Sequence, residues 1–422
     1  MSMVVEGQRS SATTVSRRRG LFWLACLAAV VILIALPGVL DQKGMHYAIR
    51  LLIAALYAMG FNVLWSQARL LSFGQAAPFG IGAFCVLHLM RVLEDASFTF
   101  PTPLLPVVGI LAGIVVGVFV GFFATIRTGT YFSMITLAMT ELLSVLARRW
   151  NSVFGGETGL SSMRMPWAGI SFGNFYEVYY VVLFWCLVGL AALWYLTLTP
   201  FGNIAAAVGN NERRLAFLGF NTRLLKTQIV TVSFAVAGLA GGLLSFTTEN
   251  ASYELFSGYT SAEPIIQSFL GGVGTFLGPA LGAAVLSLFG LVLSDVTRIW
   301  LLYQGILFIL VIILLPIGIG GAIAALCSGR TPWARMGPWL AMVAAGTLLS
   351  SIGVVLLSEL SYRFFQVSNS GEALLRILGI SIPATSIPAW VLGLVAACIG
   401  LKLILKAERK IREAWISARP KS

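Results

Sequence analysis

Residue patterns that could do chemistry are few in this chain of 422 residues. "GISFG" at 169–173 matches the nucleophile-elbow pattern, but that motif needs a strand before the serine and a helix after it in an α/β sheet. Here it precedes a long apolar run, and the two histidines, His46 and His88, both lie upstream of the serine. The α/β-hydrolase order puts the histidine downstream. "GGVGTFLG" at 271–278 has the glycines of a phosphate loop without its Gly-Lys-Ser/Thr ending. No Walker A sequence exists elsewhere in the chain, so it does not hydrolyse ATP by that route. The five cysteines, Cys26, Cys85, Cys186, Cys327 and Cys398, lie mostly singly in apolar stretches. They show neither metal-ligand nor disulfide spacing and read as small packing residues. No cofactor and no metal site is expected, and a catalytic role is not indicated.

A different chemistry remains: polar groups held inside apolar surroundings. Glu141 lies in "YFSMITLAMTELLSVLA", ten residues after Tyr131, or ~15 Å along a helix axis. An ionisable side chain at that depth is costly and usually faces a bundle interior or a polar cavity. The alternative is a protonated or hydrogen-bonded carboxyl that serves helix packing. Gln75, Thr136 and Gln267 are weaker candidates for the same pathway, since each can simply bridge two helices. A second unusual stretch is "AAAVGNNERRLAFLGFNTRLLK" at 205–226, a charged insert between two apolar runs. Its pattern predicts two short helices. Asn210 or Asn211 caps the second, which runs Glu212–Leu218 and stops at Gly219, and Asn221 or Thr222 caps the next span. Leu215 and Leu218, three apart, are expected to share a face that docks a partner.

These residues need a membrane-embedded frame, and the composition supplies one. Hydrophobic residues make up 58% of the chain and charged residues 10%, against roughly 25% charged in a soluble domain. Apolar runs fall near 21–40, 47–65, 74–90, 104–126, 131–147, 176–198, 227–246, 263–294, 299–319, 338–360 and 385–405. Most are long enough to cross a bilayer core of roughly 30 Å. The expected fold is an all-α polytopic membrane protein with about ten core transmembrane helices and about two extra C-terminal spans. A net charge of +12 collects in Arg17–Arg19, in the insert and in the tail Lys402–Lys421. That distribution suits cytoplasmic segments rather than nucleic-acid binding. Six crossings then return residue 200 to the inside, and both termini are expected there. The loop with Glu249, Glu254 and Glu263 suits the outside. The run 263–294 is too long for one helix, and its Gly and Pro break it, so it is expected to be a broken or re-entrant element. Such backbone must be covered by protein or line a cavity. Gly271, Gly272, Gly274, Gly278 and Gly282 are the residues of this break, and the four-residue spacing of Gly274, Gly278 and Gly282 suits close helix packing. The expected organisation is a basic tail at 1–20, a transmembrane domain at 21–325 with the insert at 200–226, and an extension at 326–422.

Four separated stretches carry a family resemblance: "LLSFGQAAPFGIGAF" at 70–84, "RTGTYFSMITLAMTE" at 127–141, "GGETGL" at 155–160 and "PFGNIAAAVGNNERRLAFLGFNTRLLK" at 200–226. A fifth, "FLGGVGTFLGPALGAAVL" at 269–286, completes the set. Together they resemble permease subunits of ABC importers for branched-chain amino acids, of the M-type group that also contains urea permeases. The resemblance implies a bacterial inner (plasma) membrane subunit that pairs with a homologous second permease. It also implies two cytoplasmic ATP-binding subunits and a periplasmic or extracellular solute-binding protein. The insert would be the ATPase-coupling element, carried by Ala206, Glu212, Arg213, Arg214, Leu215, Leu218 and Gly219. Glu141 falls where the family usually has an acid. Gly209 departs from the family, which commonly has Arg there, and the region beyond about 325 is additional. An ion-gradient-driven secondary transporter or channel is the competing reading, since a broken helix and an intramembrane carboxylate would suit it. Such a carrier has no ATPase for the insert to dock.

Overall fold

A computed structural model describes residues 27–95, 100–127, 129–295, 297, 299–315, 317–328, 374–377, 380–383 and 387–418, with scattered positions from 342 to 361. Helices dominate. Seven of those described are long and apolar enough to cross a membrane: Gln42–Ala68, Ala76–Glu94, Thr102–Ala124, Thr130–Arg149, Phe175–Leu198, Thr222–Thr248 and Trp390–Ala407. The chain is a helical, multi-pass membrane protein. Arg17–Arg19, Arg330, Arg335 and the last tail residues, on which part of the sidedness argument rests, lie outside the described residues.

Residues up to Val292 form one compact unit and Leu293–Ser422 a second. In the first, α1 (Leu27–Gly38) is followed by α2 (Gln42–Ala68), α3 (Ala76–Asp95), α4 (Pro106–Ala124), α5 (Thr130–Arg149) and the short α6 (Asn151–Phe154). Then come α7 (Phe175–Leu198), α8 (Pro200–Asn210), α9 (Glu212–Phe217), α10 (Thr222–Thr248), α11 (Gly258–Gly271) and α12 (Gly278–Ser294). The helices α2 and α10 are largely buried and form the centre, whereas α5 is mostly exposed and lies at the edge.

What brings α4 and α10 together is a stripe of glycines. Gly109, Gly113, Gly117 and Gly121 recur every fourth residue and put four bare positions on one face of α4. A Cβ at Gly109 would strike the carbonyl of Gly238, and one at Gly113 that of Phe234. A Cβ at Gly117 would lie 2.7 Å from Thr231 Cα, and one at Gly121 would lie 3.0 Å from Thr227 Cγ2. The register runs antiparallel, backbone on backbone. Lipid tails are as apolar as leucine, so close approach rather than apolar burial drives such pairing.

Two ends of the bundle can be told apart. At one, β1 (Leu160–Ser161) pairs antiparallel with β2 (Asn250–Ala251). Arg164 ties the same end: its Nε meets Glu249 Oε1 at 3.1 Å, and its Nη1 donates to the carbonyls of Phe246 and Thr247 at the close of α10. Burial lowers the Arg164 pKa, and the Glu249 carboxylate opposes that shift. The insert α8–α9 lies at the other end, where Gly209 abuts the Gln67 carbonyl at the end of α2.

The 263–294 run is broken as its glycines imply. The two helices α11 and α12 form an antiparallel hairpin around residues 272–277, with Gly272 at φ +98°. A Cβ at Gly271 would collide with the Gly278 carbonyl, and one at Gly282 with that of Gln267. Gly274 is different, since nothing lies within 4 Å of its Cβ position, so the packing stripe is Gly271, Gly278 and Gly282. Glu263, expected in a loop, stands inside α11.

In the second unit, α13 (Trp300–Leu314) and α14 (Gly318–Ser328) precede a hairpin of β3 (Leu374–Ile377) and β4 (Ile380–Pro383) and the long α15 (Ile387–Ala418). Gly346 and Gly353 pack on α15 against Gly400 and Ala397, an antiparallel contact again made by bare glycine backbone.

Candidate functional site

The insert is built from caps. Thr199 Oγ1 accepts from Gly202 N at 3.2 Å to start α8, with Pro200 in the first turn, where a missing N–H costs nothing. Asn211 Oδ1 accepts from Arg214 N at 3.0 Å to start α9, and Asn221 Oδ1 accepts from Leu224 N at 3.1 Å to start α10. Gly219 closes α9 at φ +87°, a conformation that L side chains resist. The helix ends at Phe217, so Leu218 is its C-cap rather than its last turn.

The exposed side of α9 differs from the expected docking face. Leu215 is buried, at 6% exposure, whereas Phe217 is 92% and Leu218 68% exposed. The reason is local: Leu215 points back to the bundle, and its carbonyl accepts from Phe220 N as the chain turns toward α10. The outward apolar pair is therefore Phe217 and Leu218. Arg213 and Arg214 are exposed, and Ala206 is half-buried on α8. Glu212 turns inward, accepting from Lys226 Nζ at 2.6 Å. Gly209 has no room for a side chain against the Gln67 carbonyl, which gives a steric reason for glycine where arginine is usual.

A second constellation surrounds the non-helical segment 70–75 between α2 and α3. Its backbone is satisfied by hydroxyls. Ser133 Oγ donates to the Leu71 carbonyl at 2.5 Å, and Thr136 Oγ1 accepts from Phe73 N at 3.3 Å. Ser72 Oγ accepts from Gly74 N at 3.1 Å, and Ser261 Oγ accepts from Ala76 N at 3.0 Å. Hydroxyls of this kind let irregular backbone persist inside a helical bundle. Gln75 Nε2 donates to Ser233 Oγ on α10 at 3.0 Å, while its buried Oε1 has no hydrogen-bond partner among the described residues. Thr136 thus holds the segment from α5.

Gln267 is likewise buried. Its Nε2 donates to Glu263 Oε1 at 2.9 Å and to Ser287 Oγ at 3.1 Å, and its Oε1 has no hydrogen-bond partner among the described residues. Glu141 is exposed on α5, its carboxylate beside Gly258 at the start of α11. The structure brings Gln75 and Thr136 together around one segment, puts Gln267 on the α11–α12 hairpin, and leaves Glu141 on an open face. Among the described residues no group of three or more His, Cys, Asp or Glu side chains could hold a metal. Lys226, Arg164 and the glycine stripe of α4 are the contributors that sequence reasoning missed. The stripe was legible in "GILAGIVVGVFVG" at 109–121.

Residues 45–316 match the family described as branched-chain amino acid transport system / permease component. The chain is 26% identical over 323 residues to the high-affinity branched-chain amino acid transport system permease protein LivM of Salmonella typhimurium, covering 70% of this chain and 74% of that protein. The LivM protein of Escherichia coli is 26% identical over 320 residues, with the same coverage of 70% and 74%. A probable branched-chain amino acid transport permease protein LivH of Methanocaldococcus jannaschii is 24% identical over 200 residues, 46% of this chain and 62% of that one. No solved structure matches. The chain therefore belongs to the branched-chain amino acid transport permease family and is the permease subunit of an ABC importer.

Proposed function

We propose that this subunit carries a branched-chain amino acid such as leucine inward, with a homologous second permease, two cytoplasmic ATP-binding subunits and an external solute-binding protein. The single observation that carries the assembly is the insert. A six-residue helix capped by Asn211 and closed by Gly219 presents Phe217 and Leu218 outward, 92% and 68% exposed. Arg213 and Arg214 flank them. A rigid apolar knob ringed by charge suits a groove on a soluble partner better than it suits water. The relatives named above supply the solute class. The topology that fits is about ten core crossings and two more in the extension, with both termini inside.

Phe217→Asp and Leu218→Asp test the reading. Each leaves the buried Leu215 anchor in place, so membrane insertion is expected to be normal. Burying an unpaired charge in the docking groove costs several kcal/mol (about 3–5). Both variants should lose co-purification with the ATP-binding subunits and leucine uptake together. Parental uptake and co-purification would return the insert to a solvated loop. Uptake of a solute panel by the reconstituted assembly, with leucine, isoleucine, valine and urea compared, identifies the cargo.

A further inference from the structure

Lys226 is the most deeply buried charged residue among those described, at 4% exposure. It lies near the start of α10, where the helix dipole disfavours a cation. Its Nζ donates to Glu212 Oε1 at 2.6 Å, and Glu212 opens α9 fourteen residues earlier. Glu212 keeps 37% of its side-chain surface exposed, so the desolvation falls on Lys226, and that cost offsets much of the attraction. The pair makes sense as a positional device. A buried ammonium that loses its carboxylate is strongly destabilised, so α9 cannot leave α10 without a large penalty.

What α10 touches gives the device a reach. The helix has 27 residues, or ~40 Å of rigid rod. From Thr227, the residue after Lys226, the helix runs along the glycine stripe of α4, through Thr231, Phe234 and Gly238. Ser233, two turns on, accepts the hydrogen bond of Gln75 and so meets the irregular 70–75 segment. Its far end is locked by Arg164 to Glu249 and to the last α10 carbonyls. The ion pairs at Lys226 and Arg164 thus tie the two ends of one central helix to the elements at opposite ends of the bundle.

We propose that the Glu212–Lys226 pair is the positioning link that fixes the insert to α10, so that displacement of α9 moves α10 and, through Ser233, the 70–75 segment. This rests on the coupling reading of the insert, and it reassigns Glu212 from the docking surface to an internal tether.

Lys226→Met tests the link without burying an unpaired charge, so the chain should insert and accumulate normally. In the reconstituted assembly with leucine-loaded binding protein, this variant and Glu212→Gln should each lose leucine-stimulated ATP hydrolysis about tenfold, within the usual span of coupling between sites, and Glu212→Gln, which strands the Lys226 ammonium, should also accumulate less. Both should still co-purify with the ATP-binding subunits. Lys226→Arg, which keeps the charge, and the swapped double variant E212K/K226E should recover most of the stimulation. In Lys226→Met, normal accumulation and co-purification beside lost stimulation separate this role from a merely structural one, which would lower all three. Parental stimulation in Lys226→Met overturns the proposal, and so does a swapped variant that accumulates normally yet stays as low as the single changes. If Phe217→Asp and Leu218→Asp lose partner binding while the pair variants behave as parental, the coupling reading stands and only the tether fails.

Discussion

Glu141 is an exposed acid on α5, and its depth along the helix calls for a polar neighbour. It stands ~15 Å along α5, on a face where Met134, Leu137, Leu142 and Val145 are also exposed. Facing lipid, an acid at that depth costs ~2.5–3.5 kcal/mol even on the mildest scales. The face is therefore expected to meet water or another subunit, and the nearby start of α11 at Gly258 offers the carboxylate a helix N-terminus. Glu141→Gln keeps the shape and removes the charge. Leucine uptake should fall about tenfold, which corresponds to losing ~1.4 kcal/mol of interaction along the path, at unchanged expression. Parental uptake rates and affinity in that variant would assign Glu141 to packing. Gln75 and Thr136 carry a different expectation, because both are spent on holding the 70–75 segment. Their substitution should lower the amount of folded protein as well as uptake.

At the scale of elements, the α4–α10 seam is the part of the bundle least able to give. Gly113→Leu would drive a side chain into the Phe234 carbonyl and Ala235 Cα. Overpacking of this kind typically costs about 1–3 kcal/mol, and more where backbone rather than a movable side chain is in the way. The expected result is a clear drop in the detergent-solubilised unfolding temperature and in membrane yield. Gly274→Ala is the control, with open space around it, and should change neither. An equal loss in both variants would mean that glycine content alone, not the seam, matters. The helices themselves were legible because their apolar runs are long: 176–198 became Phe175–Leu198, and the Gly-Pro break within 263–294 became the α11–α12 turn. The caps of α9 and α10 were legible for the same local reason, since Asn bonds its own helix start. Orientation was not. In a six-residue helix one turn decides which side faces in, and Leu215 and Leu218 parted company because the Gly219 turn swings Leu218 outward. The Glu212–Lys226 pair was out of reach too, because it depends on how α9 folds back on α10.

At the scale of the whole molecule, the direction in which the α11–α12 hairpin points decides the crossing count. As helices of 14 and 17 residues they extend ~21 and ~25 Å, each less than a ~30 Å core. A shallow re-entrant loop and two thin crossings are both compatible with those lengths, and they place the turn at different depths. The contacts favour a deep turn. Phe269, near the end of α11, packs on Trp65 in the last turn of α2 with ring centroids 5.5 Å apart. The end of α2 is also where Gln67 meets Gly209 of the insert. The turn at 272–277 therefore approaches the insert end, which the topology proposed above puts on the cytoplasmic side. A cysteine at Gly274, in open space, reads this out in a background with the native cysteines replaced, the exposed Cys398 above all. Gly274→Cys should react with a membrane-impermeant maleimide in inside-out vesicles and stay unlabelled in right-side-out ones. Labelling only from the outer side would make the hairpin a loop entering from the opposite face. The insert and the turn would then no longer share a compartment, and α11 and α12 would not count as two crossings.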